Sequence, residues 1–434
     1  MRSLVVALFV LAATVATAVS APPTPTVTRH VLANGMTVLV REDPVVGVVA
    51  TALHVRAGAL FETDETAGIT NFLQRVMVRG TARRSAQALV EAAQELGGSI
   101  DGSGDFETAE VQGTALARHW EPLLELLADV VLTPTLPADE IERERRLITS
   151  QLQLRGETPY SGAWDALMRD LYGPHPYSRP VLGRAESVAR ITRATLVEHH
   201  RLVYRPDRMV LAVSGNVPTA RVLAFAGRRF GTLAPPAAAA PSPISEAAAR
   251  GERRTVERPA EQAQIFVGYL APSLSAPDYA AVRVLSAVAG GGMSGRLFQE
   301  LRERRGLAYA VGTLTLYRTG PGVFATYLGT TPASAEAALE GVLAEIDRLR
   351  REPPTEREVE RAKAYLLGNL AMDRRTNARH AWYLGYFEAV GVGWNFPERL
   401  ARAIEAVTAA DVARAAERYL GVPTVAVLRP GGPR

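Results

Sequence analysis

The sequence predicts an α+β protein of two similar domains, each a mixed, mainly antiparallel sheet with helices on one side. Stretches 137–152 and 354–370 both open on a proline turn and continue as an acidic–basic helix with apolar residues at helical spacing. Aligning Glu142 on Glu360 also places Leu152 on Leu370. The matching order of strand and helix patterns in the two halves favours duplication over a chance likeness of charged helices.

The elements of the first half follow from local patterns. Asn34-Gly35 predicts a hairpin turn within 31–40. Because several strands are contiguous or joined by hairpins and the helices come in groups, mixed and largely antiparallel sheets are favoured. The further predicted elements are strands at 47–57, within 99–116 and at 208–216, and helices at 67–79, 85–97, 118–131 and 138–154.

A linker divides the chain. Residues 233–250 are rich in proline, alanine and serine and lack a strand or helix period with a buried face. The predicted domains are therefore 25–232 and 251–432. In the second half, a strand pattern at 262–272 precedes a helix that ends near glycines, as in the first half.

The composition limits the class of protein. The 434 residues are 47% hydrophobic and 22% charged, which predicts globular domains with a sizeable core. The net charge of +4 comes from 49 basic and 45 acidic residues without a dense basic block, so nucleic acid is not an expected partner. The absence of cysteine excludes disulfides and a lipid-modified cysteine.

The first 21 residues have the pattern of a secretory signal peptide. Arg2 precedes an apolar run over 4–13, and small residues suit cleavage after Ala18 or Ala21. A retained membrane anchor is the alternative, and no later apolar run is long enough to span a bilayer. Export without cysteines predicts a bacterial protein secreted across the inner membrane, in the periplasm, with no stable membrane insertion after cleavage.

Six blocks of the sequence occur in the order found in one known family: 30–43, 67–81, 96–116, 126–148, 199–217 and 290–311. Together they resemble the M16 peptidases, in the branch of the mitochondrial processing peptidase and bacterial two-subunit homologues. The resemblance covers nearly all of the chain after the signal pattern and implies two LuxS/metallohydrolase-like domains that form one half of a clamshell. Members of the family enclose the substrate peptide in a chamber and bind it in extended form along a sheet edge. Residues 97–116 are expected to form strands near that chamber.

The resemblance also shows a departure at the metal site. An active member carries H-x-x-E-H, whose histidines bind zinc and whose glutamate is the general base, and a later glutamate is the third ligand. These positions hold Asn71, Gln74, Arg75 and Gln151, and Glu144 matches a supporting acidic residue. Amide oxygens bind zinc poorly, glutamine cannot act as a base, and arginine places a fixed positive charge where a dication belongs. No zinc is expected in this chain.

The second half keeps a pair that active members use. Arg302 and Tyr309 match the arginine and tyrosine that, in the family, orient substrate and stabilise the oxyanion. The resemblance implies a non-catalytic subunit whose H-x-x-E-H partner supplies zinc while this chain contributes the pair to a shared chamber for peptide. The alternative is that both residues are purely structural, with Arg302 on the surface of a helix and Tyr309 in the core. The alternative functions are a scaffold and a peptide- or precursor-binding protein with no role in proteolysis.

Overall fold

The computed structural model describes residues 25–234, 247–258 and 260–431. The predicted signal peptide and most of the predicted linker lie outside these residues, and the predicted domain boundaries stay predictions. Within them the strands are β1 (Thr26–Val31), β2 (Thr37–Glu42), β3 (Val48–Val55), β4 (Ser99–Gly104), β5 (Ala109–Leu116), β6 (Met209–Gly215), β7 (Arg253–Arg258), β8 (Ala263–Ala271), β9 (Ala310–Thr315), β10 (Gly322–Thr330) and β11 (Thr424–Pro430). The α-helices are α1 (Ile69–Met77), α2 (Ala86–Glu95), α3 (Trp120–Leu132), α4 (Ala138–Glu157), α5 (Pro159–Tyr172), α6 (Ala185–Arg190), α7 (Arg193–Val203), α8 (Thr219–Phe230), α9 (Tyr279–Gly290), α10 (Ala335–Arg351), α11 (Glu356–Asp373), α12 (Asn377–Ala389), α13 (Phe396–Ala406) and α14 (Ala409–Tyr419).

Two mixed sheets form the framework. The first has the order β1-β2-β6-β3-β5-β4 and the second β7-β11-β8-β10-β9. Each contains one parallel pair, β2 with β6 and β7 with β11, and its other neighbours are antiparallel. The α+β prediction is confirmed, including the hairpin between β1 and β2, in which Gly35 has the left-handed φ of 95°.

The two halves repeat the same order of elements, as the sequence predicted. In spatial order, strands β2-β6-β3-β5-β4 of the first sheet correspond one to one to β7-β11-β8-β10-β9 of the second. The parallel pair lies at the same place in both. The helices α4 and α11 begin at Ala138 and Glu356, which are as far apart as the aligned Glu142 and Glu360. Under the same offset, α5 corresponds to α12, since each directly follows its half's long charged helix.

Each half's own helices cover one face of its sheet. In β3, Val49, Leu53 and Val55 belong to an apolar cluster with residues of α1, α2, α3, α4, α7 and α8. The intervening Ala50 and Ala52 belong to a different cluster on the opposite face. This alternation is the period of two that a sheet covered on both sides requires.

The opposite face of each sheet is covered by a helix from the other half. The apolar residues Ala381, Leu384 and Ala389 of α12 pack on β2, β3 and β6. In return, α5 packs on β8 and β11 through Leu167 and Leu171. This exchange joins the two halves through their cores, and no local pattern in the sequence predicts it.

The exchange buries two titratable side chains between β3, β5 and α12. His54 is fully buried, and its Nε2 lies 3.8 Å from Glu110 Oε1. A Cβ at Gly385 would collide with the His54 ring, so only glycine lets α12 approach this closely. Burial lowers the pKa of His54 to about 3 and raises the pKa of Glu110 to about 7, against hydrogen bonding by Trp382.

Glu110 therefore predicts a pH-dependent stability. The folded chain keeps this proton up to about pH 7, whereas the unfolded chain loses it near 4.5. The stabilisation is present below the unfolded pKa and is lost as the pH rises through the folded pKa. When the pH rises from 5 to 8, the wild-type chain should lose about 2 kcal/mol of unfolding free energy that the Glu110→Gln variant does not lose. Urea unfolding of both proteins at the two pH values measures this, and an unchanged difference would contradict it.

Candidate functional site

Helix α1 carries the first group of predicted site residues. It begins after Gly68, whose φ is 90°, and the buried Glu62 carboxylate accepts hydrogen bonds from the backbone N–H groups of Gly68 and Thr70 at 2.8 and 2.9 Å. These bonds satisfy donors that a helix start leaves free. Ile69, Phe72, Leu73 and Val76 recur at helical spacing and form the buried apolar face of the helix.

An arginine-centred cluster joins α1 to α4. Arg75 Nε donates to Glu144 Oε2 at 2.8 Å, and Arg75 Nη1 donates to Gln151 Oε1 at 2.7 Å. Arg79 Nε donates to the other Glu144 oxygen at 2.9 Å. The Glu144 side chain is 0% exposed, so its charge is balanced by two guanidinium groups rather than by water. Two of the four positions at which the resemblance implies a lost metal site, 75 and 151, thus meet in one ion-pair cluster.

The other two altered positions behave differently. Gln74 is fully buried, and its Oε1 accepts a hydrogen bond from the Tyr204 hydroxyl at 2.8 Å. Asn71 is partly buried, and its Oδ1 has no hydrogen-bond partner among the described residues. The Gln74 side chain is therefore part of the buried core, and its amide oxygen already accepts a hydrogen bond.

The side chains of the cluster between α1 and α4 do not fit a zinc ion. The cluster brings two guanidinium groups to a single carboxylate, and Arg75 occupies the space between α1 and α4. Guanidinium groups cannot be deprotonated to make room for a dication. In the part of the chain that the structure describes, no three histidine, cysteine or acidic residues group as a metal site.

The edge strand β4 lies beside α1. A Cβ at Gly104 would lie 3.0 Å from both the backbone nitrogen and the Cα of Asn71, and a Cβ at Gly102 would collide with the Gln74 carbonyl. Both glycines are thus required for the close packing of strand on helix. Among the described strands β4 pairs only with β5, so its outer edge is open beside the cluster.

Arg302 and Tyr309 lie next to each other in the second half. Arg302 lies in the last turn of a π-helical segment, Phe298–Arg304, and its Nη1 donates to the Tyr309 carbonyl oxygen at 2.9 Å. The Tyr309 hydroxyl donates to the Gln262 side-chain oxygen, and its ring lies against Gly329. Tyr309 is 42% exposed, which argues against the core alternative. Burial of part of the ring raises the pKa of the phenol, so it remains a proton donor at neutral pH.

The two groups are separate in the described chain. Across 25–234, 247–258 and 260–431, neither Arg302 nor Tyr309 forms a hydrogen bond or ion pair with the Arg75 cluster. Three residues that complete these contacts were not predicted from the sequence: Arg79, Tyr204 and Gln262. Each partner is distant in sequence from the residue it contacts, so no local pattern marked it.

Both halves match known protein families. Residues 37–185 match the family described as Insulinase (Peptidase family M16), and residues 190–366 match Peptidase M16 inactive domain. An uncharacterized zinc protease of Mycobacterium tuberculosis is 30% identical over 398 residues, covering 90% of each chain. Another from Streptomyces coelicolor is 30% identical over 422 residues, covering 93% of this chain and 90% of the relative.

Solved structures share the architecture. A peptidase M16 inactive domain from Pseudomonas fluorescens superposes with a TM-score of 0.87 at 26% identity, covering 94% of this chain and 99% of that one. A protease from Helicobacter pylori has the same TM-score at 20% identity and covers 94% and 100% of the two chains, a likeness of fold alone. Among the described residues, no helix is both long and apolar enough to cross a membrane.

Proposed function

The chain belongs to the M16 peptidase family, and from that premise we propose that it is a zinc-less subunit that completes the chamber of an H-x-x-E-H-bearing M16 partner. The observation that carries the proposal is a contrast between the two halves. At the position of the predicted former metal site, Arg75, Glu144 and Gln151 form one cluster, whereas Arg302 and Tyr309 in the second half are exposed. A chain built in this way can assist peptide hydrolysis without starting it.

The two exposed residues would have different roles. The Tyr309 hydroxyl is a donor that can turn from Gln262 towards negative charge developing on a substrate carbonyl. Arg302 holds the backbone of Tyr309 through its carbonyl, so it is a positioning residue with one face open to substrate. The partner would supply zinc and the general base, and an extended peptide would be the substrate. The signal pattern supports placing the heterodimer in the periplasm.

Reconstitution with an H-x-x-E-H-bearing M16 subunit tests this function. Because one oxyanion donor contributes about 10²–10³-fold to kcat, Tyr309→Phe should lower turnover to that extent while the complex still assembles. Arg302→Ala should lower turnover less, since it acts through Tyr309. Matched controls are Tyr160→Phe and Arg414→Ala, which alter exposed residues of the same types elsewhere.

Three outcomes separate the alternatives. Unchanged turnover in both variants, with the complex intact, would support the scaffold alternative. Zinc-dependent proteolysis by this chain alone would overturn the proposal. Loss of assembly in the variants, read by gel filtration, would assign the pair to the interface instead of the chemistry.

A further inference from the structure

A cavity of about 420 Å³ lies in the second half, between α9, α11, β9 and the start of α12. This volume is within the range of sites that hold small ligands. It is the second half's counterpart of the Arg75 cluster, because α11 corresponds to α4 and Asn369 falls at the place of Gln151 under the same offset. In the first half Arg75 fills this space, whereas α9 presents the small Ser286, Ala287 and Gly290.

The cavity contains one arginine without an acidic partner. Arg283 is partly buried, its Nη1 lies 3.4 Å from the Tyr279 hydroxyl, and its guanidinium lies 5.5 Å from the centre of the Tyr317 ring. Within the described residues it forms no ion pair, although most of the ion pairs here are made by arginines. A partly desolvated cation without a counter-ion is a binding group for an anion.

The other charges of the cavity cancel. Arg379 Nη2 donates to Asp373 Oδ2 at 2.6 Å, and the Tyr383 hydroxyl donates to the same oxygen at 2.6 Å. Burial alone would raise the pKa of the Asp373 carboxyl, but these hydrogen bonds outweigh it and hold the pKa below its usual value. Asp373 is therefore ionised and balances Arg379, and the charge of Arg283 remains as the excess.

We propose that this cavity binds a carboxylate carried by a peptide, with Arg283 as its ionic partner. One uncompensated guanidinium matches the single charge and planar shape of a carboxylate, whereas phosphate sites gather several cations or backbone N–H groups. The exposed ring of Tyr365 lines the cavity, and β9, which also lines it, pairs only with β10 among the described strands. An extended segment can therefore lie along β9 while its carboxylate reaches Arg283. The inference rests on the proposed function in one respect, that the ligand is a peptide.

Fluorescence anisotropy with the full chain, without a partner subunit, tests the site. The probes are a labelled alanine–valine pentapeptide with a free terminal carboxylate, the same peptide as its amide, and an amide peptide with a central glutamate. Because a hydrogen bond to a charged group contributes about 1.5–3 kcal/mol, at least one acidic probe should bind about 10-fold or more tightly than the neutral amide. Whichever acidic probe binds identifies the carboxylate as terminal or side-chain.

Substitutions of opposite sign at one exposed position give the matched control. Asn369→Asp should weaken and Asn369→Lys should strengthen binding of the acidic probe, and neither change should affect the neutral amide. Arg283→Gln should abolish the preference for the acidic probe, while Arg414→Gln, on the distant α14, should leave it unchanged.

Equal binding of acidic and neutral probes would overturn the proposal, as would equal binding by the two Asn369 variants. Because the assay needs neither zinc nor turnover, it can fail while the proposed subunit function holds. The reverse also applies, since the site can bind peptide in a chain that has no role in proteolysis.

Discussion

A chain carrying Asn71→His, Arg75→His and Gln151→Glu is expected to bind one zinc ion, whereas the wild-type chain is expected to bind none. Positions 71 and 75 share one face of α1, and the Arg75 side chain already reaches position 151 of α4 at 2.7 Å. Two imidazoles and a carboxylate in this arrangement form the open three-ligand set typical of zinc enzymes. Gln74 is retained, so no general base accompanies the metal and binding is measured apart from hydrolysis.

Zinc per chain after gel filtration is the direct measurement, and thermal unfolding with and without zinc is the second. Zinc at about 100 times its dissociation constant should add about 2.7 kcal/mol to the free energy of unfolding of the variant and nothing to that of wild type. A matched control replaces the second histidine by alanine and should lose most of the affinity. A folded variant that binds no more zinc than wild type would mean that positions 71, 75 and 151 do not converge.

Glu144→Ala is expected to lower the free energy of unfolding by about 3 kcal/mol, near the lower end of the range for breaking a buried ion pair. The carboxylate is 0% exposed and bridges Arg75 and Arg79, so its removal leaves two partly buried cations facing each other. Urea unfolding of the variant and of wild type, at the same ionic strength, measures the loss.

The control for this substitution lies two residues away. Glu142 is 57% exposed and pairs with Arg145 of the same helix. Glu142→Ala should lower stability far less than Glu144→Ala does, because water already screens an exposed carboxylate. Arg75→Ala combined with Glu144→Ala should recover part of the loss, because the second change removes one unpaired cation. Equal effects of the two glutamate substitutions would contradict the assignment of Glu144 as a buried bridge.

Local patterns were sufficient for most of the framework. The Asn34-Gly35 turn, the apolar face of α1 and the repeated charged helices α4 and α11 each follow from residues close together in sequence. The placement of α5 and α12 could not be predicted in this way. Their apolar faces indicate burial but do not say which sheet they cover, and that choice depends on packing between residues hundreds of positions apart.

For the candidate site, too, the sequence predicted which residues matter but not how distant residues pack together. The family resemblance predicted that residues 71, 74, 75 and 151 lack metal chemistry, but it did not predict that Arg75 joins Glu144 and Gln151 in one cluster. Nor did the sequence show the cavity beside Arg283, where α9 presents the small Ser286, Ala287 and Gly290. Missing volume and a missing counter-ion are properties of the folded surroundings, not of a motif.

The exchange of α5 and α12 also fixes an order of events during synthesis. The last strand of the first sheet ends at Gly215, but the helix that covers its second face is complete only at Ala389. At 5–20 residues per second, the roughly 170 intervening residues take about 10–30 s to make. Throughout that interval the nascent first sheet has one apolar face without a cover, around Ala50, Ala52 and Ala212. The first sheet therefore cannot be covered on both faces until α12, in the final third of the chain, has been made.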